Sequence, residues 1–326
     1  MWLNAAMQSN LVGIEIGGTK LQIVVGKPSG EIGARHRFTV DRNGGAPAIR
    51  ARIESVLPAV VREANPVAIG VGFGGPVDWR TGRIARSHQI EGWSGFDLAG
   101  WLKSLTGRRV WIDNDGNVAA LGEAKRGAGQ GGDPVFYITL GSGVGGGLVV
   151  RGEIFHGSRP GEAEIGHLRL DRAGTIVESR CSGWAVDARI RALCDSNRPT
   201  VLKSLIGGGT GGEARHLPDA LAQGDAEAIA VLRETAADLA FALSHVTHLF
   251  HPEIIVLGGG LSLVGEPLRA AVSESLPRWL MEVFRPGPMV KLATLREDAV
   301  PVGCLLGAAT IADGRGHGGD GGPVLA

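Results

Sequence analysis

Three glycine-rich turns stand in a set order in this chain: Glu15-Ile16-Gly17-Gly18-Thr19-Lys20, Leu140-Gly141-Ser142-Gly143-Val144-Gly145-Gly146-Gly147 and Leu257-Gly258-Gly259-Gly260-Leu261-Ser262. Each follows an apolar, β-branched run. Between the first two lies Ile112-Asp113-Asn114-Asp115-Gly116-Asn117, a carboxylate where an apolar strand gives way to a helical pattern. Turns made of backbone alone can approach phosphates closely, and a carboxylate can take the proton of a hydroxyl. In this order the set supplies the components of a phosphotransferase, although none of its members is specific singly.

Each motif also has a plainer reading. Gly17-Gly18-Thr19-Lys20 between alternating apolar runs is a standard hairpin signal. It is not a Walker A loop: the order Gly-Lys-Thr is absent and a strand follows, so a phosphate would meet turn amides and Thr19 rather than a helix N-terminus. Gly141-Ser142-Gly143-Val144-Gly145-Gly146 matches Gly-x-Gly-x-x-Gly, with Glu164 near the distance of a ribose-binding acid, which raises a Rossmann oxidoreductase. The next residues, Gly147-Leu148-Val149-Val150-Arg151-Gly152, leave no room for the helix that would hold a pyrophosphate, so a second phosphate hairpin fits better. Asn114-Asp115 ahead of Val118 to Ala124 reads as an N-cap, as a base fixed at a helix start, or as both. Glu162, Glu164 and His167 suit a metal, a charged surface or polar substrate contacts. No cysteine or second histidine stands at ligand spacing, so hydrogen bonding to a polyol is preferred. Trp79, Trp93, Trp101, Trp111 and Trp184 are read as core residues.

The elements that must position these residues fall into two similar α/β halves with a cleft between them. Val12 to Ile16 and Leu21 to Val25 read as a hairpin, followed by a strand near Arg35 to Val40 and a helix over Ala46 to Ala64 with Ile49, Ile53, Val56, Leu57 and Val60 on one stripe. A strand over Val67 to Phe73, a short helix over Phe96 to Leu105 and a strand over Arg109 to Ile112 complete the first half. The second half has strands over Val135 to Leu140, Gly147 to Val150, near His167 to Leu170 and over Glu253 to Leu257, with helices near Gly183 to Leu193 and Ala226 to Phe250. Leu232, Ala236, Leu239, Leu243 and Val246 give that long helix its apolar stripe.

Composition narrows the function classes. At 326 residues the chain accommodates two domains with their own cores. Lys plus Arg and Asp plus Glu are both 33, a formal net charge of zero, which argues against a dedicated nucleic-acid binder. No apolar run approaches membrane-spanning length and the N-terminus lacks a secretion signal, so a soluble cytoplasmic protein is expected. Cys181, Cys194 and Cys304 form neither a disulfide framework nor a metal pair. The 53 glycines include two low-complexity stretches, Gly207 to Gly212 and Gly314 to Gly322, which read as mobile segments.

Ile-Gly-Gly-Thr-Lys, Asn114-Asp115-Gly116-Asn117 with Ala119-Ala120-Leu121-Gly122-Glu123, the Gly141 to Gly147 run, Glu164-Ile165-Gly166-His167 and Leu257-Gly258-Gly259-Gly260 together resemble the ROK family of bacterial sugar kinases and repressors, over residues 11 to about 313. The resemblance implies an α/β, actin-like ATPase (ribonuclease-H-like) fold with two domains around a central cleft that takes ATP and a sugar. Residues 1–115 would form a small N-terminal domain completed by a returning helix near 302–313, residues 116–301 the large domain, and 314–326 a flexible tail. Homodimers are implied as well.

By position, Asp115 matches the family's catalytic base and Asn114 its sugar-binding neighbour. Gly75, Glu164, His167 and Glu178 match further sugar contacts. Gly17, Gly18, Thr19 and Lys20, with Gly141, Ser142 and Gly143, match the phosphate turns, and Gly258, Gly259 and Gly260 the adenosine turn. Three departures stand out. Glu15 replaces the usual aspartate that holds Mg²⁺ through water, and Gln89 replaces a common sugar-contacting asparagine. The stretch from His167 to Glu178 is too short, and lacks the cysteines, for the zinc loop of many relatives, so ATP and Mg²⁺ are expected and zinc is not.

The leading reading is ATP-dependent phosphorylation of a hexose, glucose at its 6-hydroxyl, with no nucleic acid or membrane as partner. A kinase for another sugar, such as an N-acylhexosamine, fructose or a cyclitol, and a non-catalytic sugar sensor are the alternatives. Family repressors carry a helix-turn-helix ahead of the kinase-like part, and only about ten residues precede Val12 here.

Overall fold

Gly17-Gly18-Thr19 reverses the chain between two strands whose residues pair antiparallel from Ile16↔Leu21 to Leu11↔Gly26. The computed structural model describes residues 9–41, 44–85, 91–159, 161 and 163–312. It divides into two compact units: one holds the chain up to Arg126, the excursion Glu153–Glu162 and everything from Glu297 onward, and the other holds Gly127–Gly152 and Ala163–Arg296.

The first unit is built on a five-stranded sheet in the order β3-β2-β1-β4-β7: β1 (Leu11–Ile16), β2 (Lys20–Gly26), β3 (Ile32–Thr39), β4 (Ala68–Phe73) and β7 (Arg109–Asn114). β1 runs parallel to β4, and β4 to β7. β4 is buried along its whole length, as a central strand covered on both faces must be. On one face lies α1 (Gly45–Ala64), where Ile49, Ile53, Leu57 and Val60 of the stripe read from sequence are buried and Val56 is half-buried. The small hairpin of β5 (Val77–Asp78) and β6 (Arg83–Ile84) and the helix α2 (Leu98–Thr106), capped by Asp97, follow. Next comes α3 (Asp115–Arg126), directly after β7, while β10 (Glu153–Ile154) lies in the excursion. The last helix, α10 (Ala299–Ala312), packs against α3, β1 and β4 in the same unit. Small residues make this approach possible. A Cβ at Gly70 would stand only 1.9 Å from the Cys304 carbonyl oxygen, and one at Gly303 1.9 Å from that of Val118.

In the second unit neighbouring strands run β9-β8-β11-β12: β8 (Val135–Leu140) with β9 (Val144–Val150) antiparallel, then β11 (Ile254–Gly258) and β12 (Met289–Leu292) parallel. α4 (Val177–Cys181), α5 (Gly183–Asp195), α6 (Leu202–Ile206), α7 (Leu217–Ala222), α8 (Ala226–Phe250) and α9 (Glu266–Ser275) complete it. α8 is the long helix expected: Leu232, Ala236, Leu239, Leu243 and Val246 are all buried, and Asp225 caps it by accepting from the Ala228 amide at 2.8 Å. One local expectation is corrected. Residues near His167 to Leu170 do not form a strand; Ile165–His167 is a 3-10 turn, and only Arg169 bridges to Ile176. The end of the Gly207 to Gly212 stretch is anchored, since the Asp187 carboxylate accepts from the amides of Gly212 and Ala214 at 3.0 and 2.7 Å.

Candidate active site

The first unit gathers Glu15, the β1–β2 turn, Gly75, Asn114 and Asp115 at the C-terminal edge of its sheet. The turn is closed by the Gly17 amide donating to the Lys20 carbonyl at 2.9 Å, and Gly74 donates to the Ile16 carbonyl at 2.8 Å. Thr19 at its tip is exposed. Glu15, the penultimate residue of β1, is held on both oxygens: Lys20 Nζ lies 3.1 Å from Oε1 and Gln22 Nε2 donates to Oε2 at 2.7 Å. Burial raises the Glu15 carboxyl above its ordinary pKa, with Lys20 and Gln22 opposing that shift. Gln22 in turn accepts from Arg35 and Arg37 on β3, and these arginines pair with Asp298 and Glu297.

β7 runs two residues beyond its apolar run, so Asp113 and Asn114 are its last members and α3 opens at Asp115. The cap is Asn114: its Oδ1 accepts from the Gly116 amide at 2.8 Å and from the Asn117 amide at 3.4 Å. The Asn114 Nδ2 donates to the Gly75 carbonyl at 3.1 Å, which joins the Gly-Pro-Val-Asp turn to the strand end. Of the two readings of Asn114-Asp115, capping therefore falls to Asn114. The Asp115 carboxylate faces Gly74: a Cβ there would meet Asp115 Oδ2 and the Ile16 carbonyl at 3.3 Å and Gly17 Cα at 3.5 Å. The carboxylate and the glycine turn thus flank one small space that glycine leaves open.

Two side chains that sequence reasoning passed over complete this half. Asp113 is 2% exposed and accepts from the Asn114 amide at 2.8 Å, from Asn117 Nδ2 at 2.9 Å and from His156 Nε2 at 2.5 Å. His156 stacks on Trp79, ring centroids 4.2 Å apart, so Trp79 is a wall of this network rather than a plain core residue. A charge buried at the end of an apolar strand is a signal that it has partners; no spacing rule points to His156, which lies 43 residues away from Asp113.

The second unit gathers the other motifs around Leu140 and Val144. The β8–β9 turn is closed by the Gly141 amide donating to the Gly143 carbonyl at 2.9 Å. Glu178, in the first turn of α4, accepts from the Val144 amide at 3.0 Å, and a Cβ on Gly143 would stand 2.5 Å from the same Glu178 oxygen. The Gly183 amide, at the start of α5, donates to the Gly141 carbonyl at 2.7 Å. Glu178 therefore braces the turn of Gly141, Ser142 and Gly143 through its backbone. Glu164 and His167 are exposed on the 3-10 turn, and a Cβ on Gly166 would come 2.1 Å from the Val144 carbonyl, so this turn sits on the start of β9. The third turn, Gly258, Gly259 and Gly260, packs on the end of β8: a Cβ at Gly259, where φ is +79°, would lie 2.5 Å from the Leu140 amide nitrogen. Gln89 and Glu162 lie outside the described residues, as does the expected tail 314–326.

Among the described residues no group of three or more His, Cys, Asp or Glu could hold a metal ion, and no helix is long and apolar enough to cross a membrane. The chemistry on offer is a carboxylate beside a backbone turn in the first unit, and two adjoining glycine turns with polar side chains in the second.

A family model described as "ROK family" matches residues 11–315. Glucokinase of Thermotoga maritima is 32% identical over 310 residues, covering 92% of this chain and 96% of that protein. Glucokinase of Streptomyces coelicolor is 32% identical over 314 residues, covering 92% and 96%. Among solved structures, a ROK family glucokinase from Streptomyces griseus in complex with glucose and AMPPNP superposes with a TM-score of 0.79 at 30% identity, covering 94% of this chain and 100% of that one. These likenesses extend over both units and all three glycine turns, and they bring with them the actin-like ATPase fold that the motifs imply. The chain belongs to the ROK family.

Proposed function

We propose that this protein is an ATP-dependent glucokinase in which Asp115 accepts the proton of the sugar hydroxyl as the γ-phosphoryl group is transferred to it. The observation that carries this reading is the meeting of the Asp115 carboxylate and the β1–β2 glycine turn on either side of Gly74. A base and a phosphate cradle held by one compact unit need no domain rearrangement to meet during transfer. Asn114 caps the helix that opens at Asp115 and so fixes where the carboxylate stands. The relatives named glucokinase, at 32% identity over nearly their whole length, support glucose as the sugar.

Asn114, Gly75, Gln89, Glu164, His167 and Glu178 are assigned to orient the sugar, and Glu178 also braces the β8–β9 turn. Gly17, Gly18, Thr19 and Lys20 with Gly141, Ser142 and Gly143 are assigned to the phosphates, and Gly258, Gly259 and Gly260 to the adenosine. Magnesium fits this chain in one way. Glu15 is a carboxylate whose two oxygens already accept hydrogen bonds or charge, which suits contact through water with an ion carried mainly by phosphate oxygens. When bound there, magnesium would neutralise charge developing on the transferred group.

Exposed apolar side chains at the end of α8 and in the turns after α9, Leu249, Phe250, Trp279, Met281 and Val283, support a two-copy assembly of the second unit. Cytoplasmic residence is consistent with an ATP-consuming sugar kinase. A coupled ADP-release assay over glucose, fructose, N-acylhexosamines and cyclitols tests the assignment. Turnover with glucose at the highest kcat/KM is expected; ADP release with another sugar alone, or with none, would overturn it.

A further inference from the structure

We propose that His156 is a positioning residue for Asp115, acting through the buried carboxylate of Asp113. The inference rests on Asp115 as the base. The excursion from Glu153 belongs to the first unit, although the chain on either side of it, to Gly152 and from Ala163, belongs to the second. Within the first unit it is fastened at several points: His156 to Asp113, Arg159 to Asp78 at 3.2 Å, and Gly161 through its carbonyl to Asn117 Nδ2 at 3.1 Å. Its return is tight, since Gly161 has φ +87° and a Cβ there would stand 2.9 Å from the His156 carbonyl oxygen.

Asp113 is the hub. A carboxylate only accepts, so His156 Nε2 carries the hydrogen it shares with Oδ2, while Oδ1 takes the Asn114 amide and Asn117 Nδ2. Asn117 is fully buried, and acceptors on both sides of its Nδ2, Asp113 and Gly161, fix the orientation of its amide. The main chain of Asn114 and the side chain of Asn117 are thus tied to one group, and Asp115 lies between them in sequence. Without the histidine donor, Oδ2 of a buried carboxylate loses its partner, and the cheapest relief is movement of the strand end toward water or another donor. That movement displaces Asp115, and a displacement of an ångström at a reacting group is costly.

His156→Phe keeps a ring on Trp79 but removes the donor; His156→Gln restores a donor of similar reach without the ring. Glucose phosphorylation and amide hydrogen exchange at residues 113–117 are measured on both. The expected result for His156→Phe is a kcat reduced about tenfold or more, a KM for ATP within about twofold of wild type, and faster exchange at Asn114 and Asn117. His156→Gln should recover both readouts. Unchanged kcat and exchange in His156→Phe would overturn the proposal. So would equal losses of kcat and thermal stability in both variants, which would mark His156 as a packing residue. If Asp115 proves not to be the base, kcat ceases to report on the pair; accelerated exchange in His156→Phe alone would then still establish the clasp, and its absence would refute it.

Discussion

Gly74 leaves room for the Asp115 carboxylate: a methyl group on its Cα would stand 3.3 Å from Asp115 Oδ2, tighter than most real contacts, with the Ile16 carbonyl oxygen at the same distance behind it. Gly74→Ala therefore pushes the base away from the phosphate turn while leaving every catalytic side chain chemically unchanged. The expected outcome is a kcat lowered on the order of 10- to 100-fold with thermal stability little changed, as for a small misplacement of a reacting group. Steady-state kinetics beside a melting curve checks this; wild-type kcat would show that the carboxylate does not depend on this space.

Glu178 is expected to show a split between its two duties. In Glu178→Gln the amide oxygen still accepts from the Val144 N–H, so the KM for ATP should stay within about twofold while the KM for glucose rises about tenfold or more, a loss of binding common to ground and transition states. In Glu178→Ala the β8–β9 turn loses its brace and both KM values should rise. Equal effects of the two substitutions on ATP would remove the bracing role.

Glu15 separates an adapted magnesium contact from a lost one. Glu15→Gln keeps the shape of the side chain but removes the charge near the ion, and should weaken use of Mg²⁺·ATP by about tenfold or more. Glu15→Asp should stay within a few-fold of wild type. Titration of activity against free Mg²⁺ reads both; indifference to Glu15→Gln would place the ion elsewhere.

The three thiols should behave as packing residues. Burial pushes the Cys181 thiol up to about 12 and raises the Cys304 thiol well above its ordinary range, and Cys304 is fully buried. Both thiols are buried and shifted upward, so at pH 8 they stay protonated and shielded, and brief alkylation of the native protein should label Cys194, which is only partly buried, ahead of the other two. Peptide mass spectrometry checks the order, and elemental analysis of the same preparation should find no stoichiometric zinc. Rapid labelling of Cys181, or one zinc per chain, would contradict this.

Much of the architecture was legible because its signals are local. Gly-Gly between two alternating apolar runs announces the β1–β2 hairpin, and the four-three spacing from Leu232 to Val246 announces α8. The glycine turns were legible for the same reason. What sequence reasoning left open depended on partners far along the chain or on near-equal local choices. Asn114 and Asp115 are both good caps, and only the hydrogen bonds to Gly116 and Asn117 assign the role to Asn114. The stretch after Gly166 has a strand-like look, yet Gly166 is pressed on Val144 and the chain turns there instead of pairing. His156 and Trp79 left no trace in any motif, because their importance lies in a contact with Asp113 across 43 positions for the histidine and a ring stack for the tryptophan.

Transfer of the hydroxyl proton to Asp115 is tested most directly by Asp115→Asn. The cap is Asn114, so the substitution leaves the helix start intact and its effect reports on chemistry rather than folding. With saturating glucose and Mg²⁺·ATP, the expected kcat is lowered by on the order of 10² to 10⁴, the usual range for losing a positioned acid–base group, with glucose affinity by calorimetry largely retained. Turnover within a few-fold of wild type, with glucose bound normally, would contradict it.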